Sequence, residues 1–279
     1  MIDLFEENRY IKCQRINEVL SFDIESRKGL VIKLDWNKFS AKDLVIAIHG
    51  VEVVSILEVG RRIDSSVIYA LDDYAKLSLC IASFEEGIKS KCRVSLGKQS
   101  EFKGAYADFS YGKVEYDFEC DLLGEGASST WNLASLTTKN DDKSFTISFS
   151  HKARETYAKM ENYGVCEDYS KLSFLGTAHI EKGAKGTSTH QSAKIMVFDP
   201  KCKATASPIL KIDENDVQAS HASTVGQINE DHIFYLMSRG IKEDEAKRII
   251  TLGYLNPILA FFEDEETLES IKTNIERRI

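Results

Sequence analysis

Apolar and polar residues alternate with a period of two over most of this chain. The clearest run sets Val114, Tyr116, Phe118, Cys120 and Leu122 against Lys113, Glu115, Asp117, Glu119 and Asp121. Successive side chains on a strand point to opposite faces, so this run predicts one buried and one solvated face. Phe145, Ile147 and Phe149 repeat the pattern, as do Leu172 and Phe174. Shorter strand candidates lie at 30–34, 44–48, 51–54, 66–69, 77–81 and 194–198. Asp72-Asp73, Glu86-Gly87, Gly124-Glu125-Gly126, Asn140-Asp141-Asp142 and Asp199-Pro200 separate them as turn signals. Many short strands at close spacing fit a sandwich, a barrel or a solenoid. No repeat of fixed length emerges, so periodicity leaves that choice open.

After His221 the period lengthens to that of helices. Asn229 is placed to cap a helix opened by Glu230 and Asp231, with Ile233, Leu236 and Met237 on one face. Arg239 sits in its last turn and Gly240 stops it. A second helix is expected over 242–252 with Gly253 at its end, and Asn256-Pro257 restarts the chain. The last helix aligns Leu268, Ile271, Ile275 and Ile279 in one stripe. Three stripes in so short a segment make a thin core. The helices are therefore expected to lean on the end of the β-rich part, as a cap, a docking face or both.

Composition narrows the function classes. At 279 residues, 43% hydrophobic and 29% charged, the chain is ordinary for a folded protein with a sizeable core. A net charge of −8 argues against nucleic acid, whose phosphates demand clustered Lys and Arg. The longest apolar region, 44–59, is broken by His49, Gly50, Glu52 and Glu58, so no membrane span is expected. The acidic start Met1-Ile2-Asp3-Leu4-Phe5-Glu6-Glu7 lacks the apolar stretch of a secretion signal, which makes the cytoplasm the default location. The six cysteines (Cys13, Cys80, Cys92, Cys120, Cys166, Cys202) form no C-x-x-C pair, and read most simply as reduced, packed thiols. No phosphate-cradling glycine loop is present, so this chain is not expected to hydrolyse ATP itself. No Ser/His/Asp order supports nucleophilic catalysis, and a non-enzyme is expected. His49, His151, His179 and His232 show no partner spacing. Turn chemistry accounts for Asp72-Asp73 and Asn140-Asp141-Asp142. The acidic run 263–266 reads as a solvated helix start.

One stretch carries more. The order Asp216-Val217, Ser220-His221-Ala222, Thr224-Val225-Gly226, Phe234-Tyr235-Leu236 and Ser238-Arg239-Gly240-Ile241 resembles the SufB/SufD family, the non-ATPase subunits of the SUF iron–sulfur cluster assembly machine. The resemblance continues upstream through Gly164-Val165, Asp168, Ser170, Phe174, Gly176, Lys182-Gly183-Ala184, Thr187 and Gln191. It covers roughly 150–279 well, and the first hundred or so residues by general character.

The resemblance implies a mainly β fold. A short segment 1–20 would precede a right-handed parallel β-helix over 21–222, followed by a C-terminal α-helical subdomain over 223–279. The helical domain that precedes the solenoid in better-known members has little room here, with strand-like sequence from about Ser21 and one short element near 4–10. It further implies that the tail docks a SufC-type ABC ATPase, through a region containing Phe234, Tyr235, Arg239, Ile249 and Tyr254. The solenoid edge would pair with a SufB-type subunit or with a second copy.

His221, expected in a small-residue loop after the last strand, is the candidate metal residue. A neutral imidazole is a good iron ligand and titrates near neutral pH. SufD-type sequences have a histidine that resembles it, implicated at the dimer interface in building the nascent cluster. SufB-type sequences tend to have glutamate there, so a SufD-type chain is implied. No cofactor is expected to be held by this chain alone, only a transient iron–sulfur cluster or iron in the assembled complex.

Two departures stand out. Ala219 occupies a position where some SufD-type relatives have cysteine, and Ala193 lies near the place of the SufB-type scaffold cysteine. Cys202, in a turn, is the nearest thiol and a candidate for sulfur relay. Gln191 matches a recurring glutamine and reads as a polar ladder residue. The competing readings are a carbohydrate-active β-helix enzyme, usually exported, and a purely structural homodimer.

Overall fold

The computed structural model describes residues 1–5, 9–16, 18–38 and 41–278. Its strands form two nine-stranded sheets in which, after an opening hairpin, successive strands of the chain alternate between sheets. Every strand pair is parallel except the opening hairpin, where Ile11–Ile16 runs antiparallel to Val19–Glu25. The result is a parallel β-solenoid of about eight turns with a helical C-terminus. Strand structure thus begins before Ser21. The short element expected near 4–10 lies partly outside the described residues.

The predicted faces hold. Val114, Tyr116, Phe118, Cys120 and Leu122 are buried inside, and Lys113, Glu115 and Asp117 face out. Phe145, Ile147, Phe149, Leu172 and Phe174 continue the same interior. Aromatic rings bridge the sheets: Phe118 stacks on Trp131 with centroids 4.0 Å apart, and Tyr106 meets Tyr116 edge-on at 4.8 Å. Gly104 sits on the inward row below Trp131 because a Cβ there would come within 2.6 Å of the indole.

The missing sequence repeat has a geometric cause. Early coils are short: Val53 stacks on Lys76, 23 residues on. Later ones are long: Tyr157 stacks on Ser188, 31 residues on, and Lys171 on Lys203, 32 on. Stacking needs matched strand registers, not equal coil lengths, so the turns and strands grow along the solenoid without breaking the ladder.

Two clusters of buried charged groups close local networks, as the cost of unpaired burial demands. Glu58 accepts from Trp36 Nε1 at 3.0 Å and from the Tyr69 hydroxyl, and pairs with Arg62. Lys143 Nζ reaches Asp108 at 2.6 Å, and the carbonyls of Ser110 and Leu136 at 2.7 and 2.9 Å.

Three helices follow the last strand: α1 (Glu230–Ser238), α2 (Glu243–Leu255) and α3 (Glu265–Arg278), with a 3₁₀ turn Asn256–Phe261 before the last. Asn229 caps α1 as expected, its Oδ1 accepting from the Asp231 amide at 2.9 Å. Gly240 follows with φ +89°, the left-handed turn that favours glycine after a helix. Gly253, expected to end the second helix, lies inside α2 instead. Ile271 and Ile275 are buried and Leu268 half-buried, while Ile279 lies outside the described residues.

The tail does not cover the end of the solenoid. Leu255, Ile258, Phe262, Ile271 and Ile275 pack sideways on Leu57, Ala82, Ala105, Ala107, Ala134, Leu136 and Val165. Except where the chain turns, these partners are outward-facing positions of the first sheet. Period-two alternation accordingly fails there, and Ser128–Thr137 ends in five consecutive buried residues. Small alanines on that face let helices approach closely. At the far end Arg278 clamps α3 to the solenoid, donating to the Phe109 carbonyl at 3.0 Å, to Thr138 Oγ1 at 3.1 Å, and to the Ser110 carbonyl and the Asp141 carboxylate.

Candidate functional site

The solenoid ends without a lid. Its last coil consists of Lys203–Ile212 and Val217–Gln227, each the outermost strand of its sheet. Among the described residues no strand pairs with either of those two outer edges. A flat edge of this length is a template for pairing with another chain. Ile209, Ile212 and Val225 are exposed along it.

His221 lies within this coil rather than in a loop. The segment expected as a small-residue loop is an eleven-residue strand, Val217–Gln227, parallel to Thr187–Val197. Its weak alternation of Val217, Ala219, His221, Ser223 and Val225 is the signal that helical and loop readings obscured. Parallel register pairs His221 with Gln191, and Gln191 is buried and faces inward. Paired residues of parallel neighbours point to the same side. The inward row through this register therefore reads Gly104, Trp131, Met160, Gln191, His221. The core column turns from aromatic and thioether to amide to imidazole as it reaches the open end. His221 is exposed because no further coil covers it.

The surroundings of His221 follow from the same register. Ala219 pairs with Thr189 and Ser223 with Ala193, both on the inward row. Ala193, near the place of the expected scaffold cysteine, is buried one coil below the opening. Gln191 Nε2 donates across the interior to the Ile209 carbonyl at 3.0 Å, tying Thr187–Val197 to Lys203–Ile212, one of the two strands of the mouth. On the outward row His190 Nδ1 and Ser220 Oγ lie 2.7 Å apart. Cys202, half-buried, begins the last coil, and burial pushes its thiol up to about 12. Such a thiol holds little thiolate near neutral pH.

The other histidines have local partners that spacing did not reveal. His49 Nδ1 lies 2.6 Å from Asp72, and that hydrogen bond holds the imidazole above its usual pKa. His179 pairs with Asp213 at 2.8 Å. His151 is buried beside Thr156, and desolvation lowers it to about 4. Among the described residues no group of three or more His, Cys, Asp or Glu side chains is placed to hold a metal ion. His221 on its own is a single ligand.

Beyond the open coil, α1 has no buried residue. Phe234 is 73% exposed, Tyr235 56% and Met237 44%. Ile249 on α2 is also exposed, and the Arg239 guanidinium lies over the Tyr235 ring at 5.2 Å. Phe234, Tyr235, Arg239 and Ile249 thus belong to the uncovered helical hairpin. Tyr254 differs: it packs edge-on against Tyr163 of the solenoid at 6.0 Å, as part of the tail's own anchorage. Among the described residues no helix is long and apolar enough to cross a membrane.

Comparison with known proteins assigns the family. Residues 72–254 match the SufBD core domain of SUF-system iron–sulfur cluster assembly. The chain is 28% identical over 183 residues to the Bacillus subtilis iron–sulfur cluster assembly protein SufD, covering 66% of this chain and 42% of that one. It is 27% identical over 138 residues to iron–sulfur cluster assembly SufBD family proteins of Staphylococcus saprophyticus and Staphylococcus aureus, covering 50% of this chain and 30% of each. The chain therefore spans less than half the length of these relatives. With most of the solenoid, the open coil and the start of the helical tail inside the matched region, the chain belongs to the SufB/SufD family of SUF iron–sulfur cluster assembly, as a SufD-type chain.

Proposed function

We propose that this chain is a non-catalytic, cytoplasmic subunit of a SUF assembly complex, pairing through its last coil and docking an ABC-type ATPase through α1 and α2. The observation that carries the reading is the uncovered last coil, with His221 as the final member of the inward row. Strand pairing across that edge would bring a partner's terminal coil against it. The partner is a SufB-type chain or a second copy of this one. An imidazole from this side and a thiolate or carboxylate from the other would then share iron, or a nascent cluster, as cargo. Neither chain alone supplies enough ligands, which fits the solitary His221.

The docking half rests on α1. Its aromatic side chains remain in water while α2 buries Leu255 and α3 buries Ile271 and Ile275, a pattern typical of interface anchors. Removing the whole tail is a poor test, because it would also uncover the apolar strip around Ala107, Ala134 and Leu136. A point change is cleaner. Co-expression with a SufB-type chain and a SUF ATPase is expected to give a ternary complex with iron and sulfide. Phe234→Asp should lose the ATPase from that complex and keep the paired solenoids. Full ATPase retention by this variant would move the docking surface elsewhere, and absence of any paired solenoid in the parent complex would overturn the edge-pairing reading.

A further inference from the structure

The thiols of Cys166 and Cys202 meet at the corner where the last coil begins. Cys166 ends Tyr157–Cys166 on the inward side, and its Sγ lies 3.2 Å from Ser170 Oγ and 3.5 Å from the Ser170 carbonyl. Cys202 Sγ contacts the Asp168 carbonyl at 3.6 Å, while the next amide, Lys203, donates to the Ser170 carbonyl at 3.0 Å. Both thiols thus address the same short turn, 167–170, and Cys202 packs against the core cluster to which Cys166 belongs. They are 36 positions apart in sequence and belong to adjacent coils. We propose that Cys166 and Cys202 form a reversible thiol–disulfide pair, oxidised by a two-electron oxidant of the peroxide class, that staples the last coil to the one beneath it.

The two sulfurs are not equivalent. Cys166 is fully buried and Cys202 half-exposed, so an oxidant reaches Cys202 first. The Cys202 thiolate attacks one peroxide oxygen, the O–O bond breaks, and the hydroxide released takes up the proton that Cys202 lost. The sulfur is then a sulfenic acid. Cys166 displaces its hydroxyl group, the S–S bond forms, and the Cys166 proton leaves with that hydroxyl as a second water. Two thiols have lost two electrons in all, and one peroxide has become two waters. A small thiol reductant reverses the step by exchange. Desolvation keeps Cys202 protonated at rest, so the pair answers to strong oxidant rather than to trace exposure.

The remaining cysteines do not compete. Cys92 and Cys120 are enclosed in the core, Cys80 donates to the Phe261 carbonyl at 3.0 Å, and exposed Cys13 lies at the opposite end of the solenoid. The staple would fix the start of Lys203–Ile212, one of the two strands with a free edge. That goes beyond the proposed assembly role and holds whether or not the edge pairs with a partner.

The test uses the full chain carrying Cys13→Ser, which removes the exposed thiol, and hydrogen peroxide, with thiols then alkylated under denaturing conditions and counted by intact mass. The number of alkylated thiols should fall by two, with a cross-linked peptide joining Cys166 to Cys202, and dithiothreitol should restore it. Cys202→Ser should lose none. Cys166→Ser, whose folding is checked by circular dichroism, should carry Cys202 on to sulfinic acid for want of a resolving thiol. Irreversible acid at Cys202 in the parent chain, a cross-link through any other cysteine, or no loss of thiols at all overturns the proposal.

Discussion

Replacing Arg278 with alanine tests what holds the helical tail in place. Its guanidinium is 11% exposed and bonds two carbonyls, a hydroxyl and the Asp141 carboxylate, itself 7% exposed. Removing one member of a buried ion pair typically costs ~3–5 kcal/mol, because the other is left unpaired. Here the orphans keep other donors. Asp141 still accepts from the Gly112 and Thr138 amides at 2.7 and 3.0 Å, and the Ser110 carbonyl still accepts from Lys143. The loss should therefore fall to about 2–3 kcal/mol, nearer that of charge-assisted hydrogen bonds alone. It should also be local, since the solenoid is held by coil-to-coil stacking. Hydrogen exchange reads it directly: amides of α3 should exchange about 30- to 150-fold faster, at roughly tenfold per 1.4 kcal/mol. Amides of Tyr111–Leu122 should hardly change. Arg278→Lys, which keeps the charge but loses the planar fork, should recover part of the protection. Exchange in α3 within threefold of the parent would refute the clamp, and equal acceleration throughout would show that the tail and solenoid open as one unit.

Three further substitutions test the site, the core and the pH response. His221→Ala should change stability by less than ~0.5 kcal/mol, because the side chain is exposed. Iron and sulfide yield of the assembled complex should nonetheless fall at least about tenfold, as expected for loss of a metal ligand rather than of its outer-shell support, and an unchanged yield with pairing verified would leave His221 no metal role. Gly164→Ala places a Cβ 2.4 Å from Leu172 Cδ2, so overpacking should cost about 1–3 kcal/mol in urea unfolding; a neutral result would mean the core yields there. Burial, reinforced by Asp168 and Asp199, raises Glu167 to about 7, with Lys247 and Arg278 opposing. The fold thus holds this proton more tightly than the unfolded chain does. Glu167 costs nothing below its ordinary pKa near 4.5, and the stability it allows is lost as pH rises through 7. Discounted for partial exposure, the loss should be about 1–2 kcal/mol. Glu167→Gln should remove that part of the slope between pH 5 and pH 8 in thermal unfolding, and parallel curves would refute it.

Much of the core was readable because a strand forces a period of two. Val114 through Leu122 announced their inward face unaided, and Phe145 through Phe149 did likewise. The first sheet was harder, since Ala105, Ala107, Ala134 and Leu136 lie outward yet buried under a tail more than a hundred residues away. A local pattern cannot show what a distant segment will cover. The same limit hides the pairing of Arg278 with Asp141, whose own neighbours show only a turn.

The site divides along similar lines. His221 stood out by its neighbours in sequence, yet their small size suggested a loop. Only the register with Gln191 sets it on the inward row, because strand identity at an edge comes from the adjoining coil's free backbone groups rather than from the residues themselves. Coil length also lay beyond sequence periodicity, since hydrogen bonding between stacked strands tolerates turns of any size. The alternation, the helical tail and the family signature were thus properties of the sequence alone. The open end, the sideways course of the tail and the meeting of Cys166 with Cys202 were decided by tertiary structure, through backbone pairing between residues that are remote along the chain.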